Sequence, residues 1–264
     1  MALLQSFEKS GNVLFKYRGQ IPALIFLLAI PILFFSNSDL YMQIFVGQRH
    51  FFRIVCIVLG ILTSLSGLVL RAYTVSTTPK GTSGRNTAKQ VANSLNTKGI
   101  YSVVRHPLYL ANYLLWAGIL IFSMNIWAFL IVSLVYWIYY ERIMFAEEAF
   151  LRNKFGQEFE DWAASVPAFL PNWSLYEKGD MSFSLKTCIR REYVTVFSTV
   201  FSFAIVDYIL FYLTCVRWID YRILSINAWL RPSLYILVVC LILMLVIRTI
   251  KHHTKLLSAD ATRD

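Results

Sequence analysis

Gly99-Ile100-Tyr101-Ser102-Val103-Val104-Arg105-His106-Pro107-Leu108-Tyr109 opens the stretch that decides the fold, which runs on to Pro171. An apolar run from Leu108 to Phe122 follows, Ser123-Met124-Asn125 turns it, and a second apolar run extends from Ile126 to Tyr140. Beyond it come Glu147-Glu148, Phe155-Gly156 and Val166-Pro167-Ala168-Phe169-Leu170-Pro171. A turn this short joins two antiparallel helices, so the outer ends of both arms lie on one side. One end carries Arg, His, Pro and Tyr, and the other a pair of carboxylates. The expectation is a site at a membrane surface, assembled from two helix ends.

Working outward, 57% of the 264 residues are hydrophobic, 16% aromatic and only 15% charged, which excludes an ordinary soluble domain. A spanning helix needs about 20 apolar residues to cross ~30 Å of hydrocarbon. Six stretches approach that: Ile21–Phe35, Phe52–Tyr73, Leu108–Phe122, Ile126–Tyr140, Tyr193–Val216 and Pro232–Ile250. The first follows Lys9, Lys16 and Arg18 but lacks a small-residue cleavage site, so it reads as an uncleaved span with a kink at Pro31. The fold class is therefore an all-α integral membrane protein, with about six transmembrane helices and a short helical hairpin.

The net charge of +10 would suggest nucleic acid in a soluble chain; here it points to loops facing an anionic lipid surface, with no nucleic-acid partner. With the N-terminus in the cytoplasm, 20 of the 25 Lys and Arg residues fall on that side. Both termini, the Arg105-His106 end and the Glu147-Glu148 end are then cytoplasmic, within reach of a soluble cofactor. A bacterial inner membrane is the expected location. Cys56, Cys188, Cys215 and Cys240 have neither CxxC nor metal-ligand spacing and read as small apolar filler, so no metal site is expected.

Three parts are delimited: two N-terminal helices over 1–73, a core over 74–172, and two further helices with a basic tail over 173–264. Between helices two and three, Thr74–Lys98 is polar. Ser83-Gly84-Arg85-Asn86 reads as a turn and Ala88–Leu95 as two helical turns, within either a solvated connector or a lid.

Pro107 suits a helix's first turn, and the N–H groups of Leu108 and Tyr109 would then offer a partial positive end to a carboxylate. Interfacial anchoring by Arg and Tyr would explain the same residues. Glu147 and Glu148 read either as a carboxylate site for a cation or as a solvated acidic face continued by Glu158, Glu160 and Asp161. Asp207, in the middle of an apolar run, requires a partner, from a Tyr hydroxyl or an Arg, and is a candidate substrate contact.

Joined in this order, the pieces resemble the isoprenylcysteine carboxyl methyltransferase family and its relatives, the phospholipid N-methyltransferases. The resemblance covers about Ser94 to Pro171. It rests on Leu95, Gly99-x-Tyr101, Arg105-His106-Pro107-x-Tyr109, Glu147-Glu148, Phe155-Gly156-Gln157-Glu158-Phe159 and Val166-Pro167. It implies a membrane-embedded enzyme with a cytosolic site for S-adenosylmethionine (SAM). By position, Asn93, Leu95, Asn96, Tyr101, His106, Pro107, Leu108 and Tyr109 would line that site, and Glu147 or Glu148 would meet the cofactor's ammonium. Arg105 and Arg142 would be the catalytic arginines, although Arg142 lies five residues before Glu147, slightly off the family's spacing. Ala111 stands where the family commonly has glycine.

A sulfonium methyl group is already activated, so such an enzyme chiefly aligns an acceptor and excludes water. A carboxylate or phosphate acceptor needs no general base, whereas a lipid ammonium must first lose a proton. Scarce histidine and the two arginines favour an anionic oxygen on a lipid or lipid-linked acceptor, a prenylcysteine carboxylate or a phosphate as in lipid A. Phosphatidylethanolamine N-methylation is the alternative, and a non-catalytic membrane protein or transporter the competing class.

Overall fold

The computed structural model describes residues 3–35, 50–79, 90–218 and 229–258. Eight α-helices are named here in chain order: α1 Leu3–Lys16, α2 Ile21–Phe35, α3 His50–Thr77, α4 Pro107–Phe122, α5 Ile126–Phe155, α6 Gln157–Ser165, α7 Leu185–Trp218 and α8 Pro232–His253. Helices α3, α5, α7 and α8 are long and apolar enough to cross a membrane, and α2 and α4 are shorter apolar helices. The chain is thus an all-α integral membrane protein, and every apolar run of the sequence is a helix. Helix α5 does not end at the membrane boundary near Tyr140 but runs on to Phe155, carrying Glu147 and Glu148 on its extension. Gly156, at φ +57°, breaks it and lets α6 start in a new direction.

The tightest packing joins α3 to α4. Lipid tails are as apolar as Leu, so helices associate in a membrane where small residues let their backbones approach. Gly60, Ser64 and Gly67 supply one such face, and Ala111, Leu115 and Gly118 the other. A methyl group at Gly67 would lie 2.7 Å from the Ala111 carbonyl oxygen, and one at Gly118 2.3 Å from that of Gly60. Ser64 Oγ donates to the Leu115 carbonyl at 2.8 Å across the seam. Ala111 is fully buried, and the close approach at its level comes from Gly67 on the facing helix.

The hairpin expected from Ser123-Met124-Asn125 is present. Met124 adopts φ +54°, and the Asn125 side chain caps α5 by accepting from the Ala128 N–H at 2.9 Å. Aromatic side chains weld the arms together: Tyr136 donates to the Tyr109 carbonyl at 2.9 Å, and the Tyr109 and Tyr140 rings lie 4.8 Å apart.

Two other contacts place the ends of the chain. Helix α1 lies on α5 at Gly11, where a methyl group would come within 2.1 Å of the Arg142 carbonyl oxygen. Asp207 finds its partner in Arg231, which grips it with Nε at 2.6 Å and Nη2 at 2.7 Å; Ser233 adds a third bond at 2.7 Å. This satisfies the half-buried carboxylate from the start of α8. The turn expected at 83–86 lies outside the described residues. Within the span read as two helical turns, residues 90–95 are not helical; they bend at 93–94, with the Ala92 carbonyl accepting from Lys154 Nζ on α5.

Candidate active site

An extended strap positions the start of α4. The Arg105 and His106 N–H groups donate to the carbonyls of Pro167 and Ala168 at 2.9 and 3.1 Å, and Asn172 N–H donates to the Val103 carbonyl at 3.0 Å. Gly99, at φ +63°, pairs with Glu177 through its N–H at 3.0 Å. The Val166-Pro167 motif therefore supplies carbonyls that fix Arg105 and His106 before the helix begins. Helix α4 has Pro107 in its first turn and no side-chain N-cap, leaving its N-terminal end without a competing internal acceptor.

Opposite this start lie the carboxylates of α5. Glu148 Oε1 accepts from Arg105 Nε at 2.9 Å and from His106 Nε2 at 2.8 Å. Arg105 Nη1 donates onward to the carbonyls of Val166, at 2.9 Å, and Ala163. Glu147 Oε1 accepts from the Tyr109 hydroxyl at 2.7 Å, and Arg18 Nη1 stands 3.5 Å from the same oxygen. The two acidic side chains thus have different jobs. Glu148 ties the start of α4 to α5, while Glu147 faces Tyr109 and Arg18. Burial first, and then the Glu147 charge, push the Tyr101 phenol well above its ordinary value, with a hydrogen bond to Thr78 partly offsetting them. Tyr101 therefore stays a neutral hydroxyl.

These side chains line a cavity of about 460 Å³. Leu95, Asn96, Tyr101, Arg105, His106, Pro107, Leu108, Tyr109, Glu147 and Glu148 all reach it, from among the residues expected at the site. Asn93 does not; it is exposed at a bend, while its neighbours Ala92, Ser94 and Leu95 line the cavity. Arg142 does not either. Its guanidinium sits over the Phe7 ring, 3.4 Å from the centroid, because α1 covers that face of α5. Nor does Asp207, engaged by Arg231, line the cavity.

The sequence reading missed three contributions. Arg18 and Pro22 come from the junction of α1 and α2; Arg71 comes from α3 and Asn112 from α4; and Val194, Thr195, Ser198, Thr199 and Ser202 come from α7. Arg18 and Arg71 had counted only as orientation charges. The α7 residues recur at helical spacing, a signal that was present but indistinguishable from any polar stripe on a spanning helix. With Leu115, Trp116 and Ile119 of α4, they make an arm of the cavity that runs from the polar head along the two helices.

Residues 49–158 match the family model described as phospholipid methyltransferase. Among curated proteins, a cobalt-zinc-cadmium resistance protein, CzcN, from Cupriavidus metallidurans is 36% identical over 32% of this chain and 38% of its own length. A probable protein-S-isoprenylcysteine O-methyltransferase from Oryza sativa subsp. indica is 36% identical over 30% of this chain and 41% of its own. The protein-S-isoprenylcysteine O-methyltransferase of Schizosaccharomyces pombe is 37% identical over 29% and 33%. The chain thus spans about two fifths or less of the length of these relatives. No solved structure matches. Helices α3, α4 and α5, with the Arg105-His106 pair just before α4 and the Glu147-Glu148 pair on α5, fall inside the matched segment; α1, α2, α7 and α8 fall outside it. The segment 49–158, which carries most of the polar head of the cavity, is thus similar to the phospholipid methyltransferase family.

Proposed function

We propose that this protein is an integral-membrane methyltransferase that takes SAM from the cytoplasm and methylates a lipid or lipid-linked acceptor. The observation that carries the reading is the cavity itself. A charged head at two helix ends continues into an arm between membrane helices, so a water-soluble cofactor and an amphiphile could meet without either leaving its own phase. The volume of about 460 Å³ lies within the range of small-molecule sites.

The residues present fit the cofactor. Glu147 offers a carboxylate to its ammonium, and the uncapped start of α4 offers N–H groups and a positive dipole end to its carboxylate. Leu95, Leu151 and Phe159 supply apolar surface for a base. When bound, SAM supplies an electrophilic methyl group on a positively charged sulfur. The chain's own residues then have to hold, orient and dry the site. Glu148 and Arg105 hold the start of α4 at a fixed distance from α5, the Tyr109 hydroxyl donates to Glu147 and orients it, the neutral Tyr101 hydroxyl does not compete as a nucleophile, and Phe159 and Trp162 cover the head.

An anionic oxygen acceptor, carboxylate or phosphate, is the preferred class, since it needs no base, and His106, the one histidine among the described residues lining the cavity, is engaged by Glu148. The names of the isoprenylcysteine O-methyltransferase relatives support a carboxylate. Phospholipid N-methylation is the second reading, favoured by the description of the matching family model. Calorimetric titration of the detergent-purified full chain with SAM and with its demethylated product tests the cofactor assignment. Micromolar binding is expected; no heat at millimolar ligand would refute it.

A further inference from the structure

A methyl-transfer site needs something to hold the acceptor's head group, and the two arginines expected for that are engaged elsewhere. Arg105 is spent on Glu148 and on the carbonyls of Ala163 and Val166, and Arg142 covers Phe7. Arg71 is placed differently. It reaches the cavity wall near the end of α3, where Nε donates to Glu192 Oε2 of α7 at 2.6 Å and Nη1 to Asn112 Oδ1 of α4 at 2.7 Å. Neither bond uses Nη2. The guanidinium is therefore fixed by two further helices while keeping a donor edge for a ligand. Its side chain is 24% exposed and that of Glu192 only 6%, so the carboxylate sits behind and the cation in front. Asn112 lies one turn beyond Tyr109, which puts Arg71 where the polar head of the cavity gives way to the arm.

Charge counting points the same way. Around the cavity the side chains of Arg18, Arg71 and Arg105 balance those of Glu147, Glu148 and Glu192. SAM, with two positive groups and one carboxylate, would bring a net charge of +1. In a site of low dielectric the loaded cavity then favours an anion over a cation.

We infer that Arg71, clamped by Glu192 and Asn112, receives the anionic head group of the acceptor, a carboxylate or a phosphate, whose chain lies in the arm between α4 and α7. The inference rests on the methyltransferase reading and deepens it. In the step it implies, a lone pair of the acceptor oxygen forms the new O–CH₃ bond while the S–CH₃ bond breaks and leaves its electron pair on sulfur. One negative and one positive charge cancel, and no proton moves.

Trp116 lines the arm, so quenching of tryptophan fluorescence reads occupancy. The probes are three brominated single-chain amphiphiles alike except for the head: carboxylate, phosphate monoester and primary ammonium. They are titrated into the purified full chain, with Trp116→Phe as the background. Both anions should bind at least tenfold more tightly than the ammonium, and the tighter of the two identifies the acceptor's class. Arg71→Gln should weaken the anions by roughly 10- to 150-fold, the range of a charge-assisted hydrogen bond, and abolish the preference. Because Arg71→Gln alone strands Glu192, the paired Arg71→Gln/Glu192→Gln variant is measured beside it and should behave alike. Glu192→Gln alone should keep or strengthen the preference for anions, which a merely structural ion pair would not do. A wild-type preference for the ammonium, or an unchanged preference in the paired variant, would overturn the inference. Calorimetry with SAM on the same preparations keeps the two readings apart: absent SAM binding sinks the methyl-transfer reading, while the head-group preference is still read by quenching.

Discussion

Arg105 and Glu148, 43 residues apart in sequence, meet at 2.9 Å, Nε to Oε1, and so close the gap between the start of α4 and the polar extension of α5. The pair is about one-fifth exposed on each side, and Arg105 also holds the strap that precedes the second half of the chain. The head of the cavity depends on this joint. Arg105→Lys keeps the charge but loses the planar fork that serves a carboxylate and two carbonyls at once. The expected result is faster limited proteolysis within 163–172 and weaker SAM binding. Unchanged proteolysis would mean that the strap is held by its backbone bonds alone.

The two carboxylates should separate experimentally. Glu147→Gln removes the charge facing Tyr109 and Arg18, and SAM affinity should fall roughly 10- to 150-fold with little change in melting temperature. Glu148→Gln strands Arg105 in a largely buried setting, so it should lower the melting temperature first. Equal losses of affinity without destabilisation in Glu148→Gln would reverse these roles.

The seam between α3 and α4 has no room to spare. At Gly118 an added methyl meets Ser64 Oγ at 2.2 Å and the Gly60 carbonyl oxygen at 2.3 Å. Gly118→Ala should destabilise the protein by about 1–3 kcal/mol, the usual range for overpacking, and lower the temperature at which it aggregates in detergent. Ser64→Ala at the same seam enlarges the space and should cost less, about 1 kcal/mol for the hydrogen bond to Leu115.

Asp207 is tied to Arg231 and Ser233, away from the cavity. Asp207→Asn should therefore lower thermal stability while leaving the affinity for SAM unaltered, as calorimetry beside a melting curve would show. A loss of cofactor affinity in folded Asp207→Asn protein would reinstate it as a site residue.

Much of this was legible in the sequence. The helices follow from runs of apolar length, and the meeting of Arg105-His106 with Glu147-Glu148 follows from a three-residue turn that forces two arms to return to one side. Asp207 announced its need for a partner because a carboxylate cannot stay unpaired in hydrocarbon. What could not be read was which helix covers which face. Arg142 shares a helix and a spacing with the acidic pair, but α1 packs over it at Gly11, and an amphipathic N-terminal helix does not declare its docking face. Arg71 and Glu192 are 121 residues apart, and no periodicity links α3 to α7. The 90–95 segment reads as helical but is not, and its Ala92 carbonyl accepts from Lys154 of α5, a partner that local sequence does not reveal.

Transfer of the methyl group itself tests the central claim most directly. Purified protein is incubated with SAM carrying a radiolabelled methyl group and with total membrane lipid from its own source, and the labelled lipid is then treated with mild base. The account predicts label in the lipid fraction, released readily as methanol from a carboxylate ester or slowly from a methyl phosphodiester. Base-stable label would indicate N-methylation and contradict the anionic acceptor, and no lipid label with SAM bound would contradict the enzyme reading altogether.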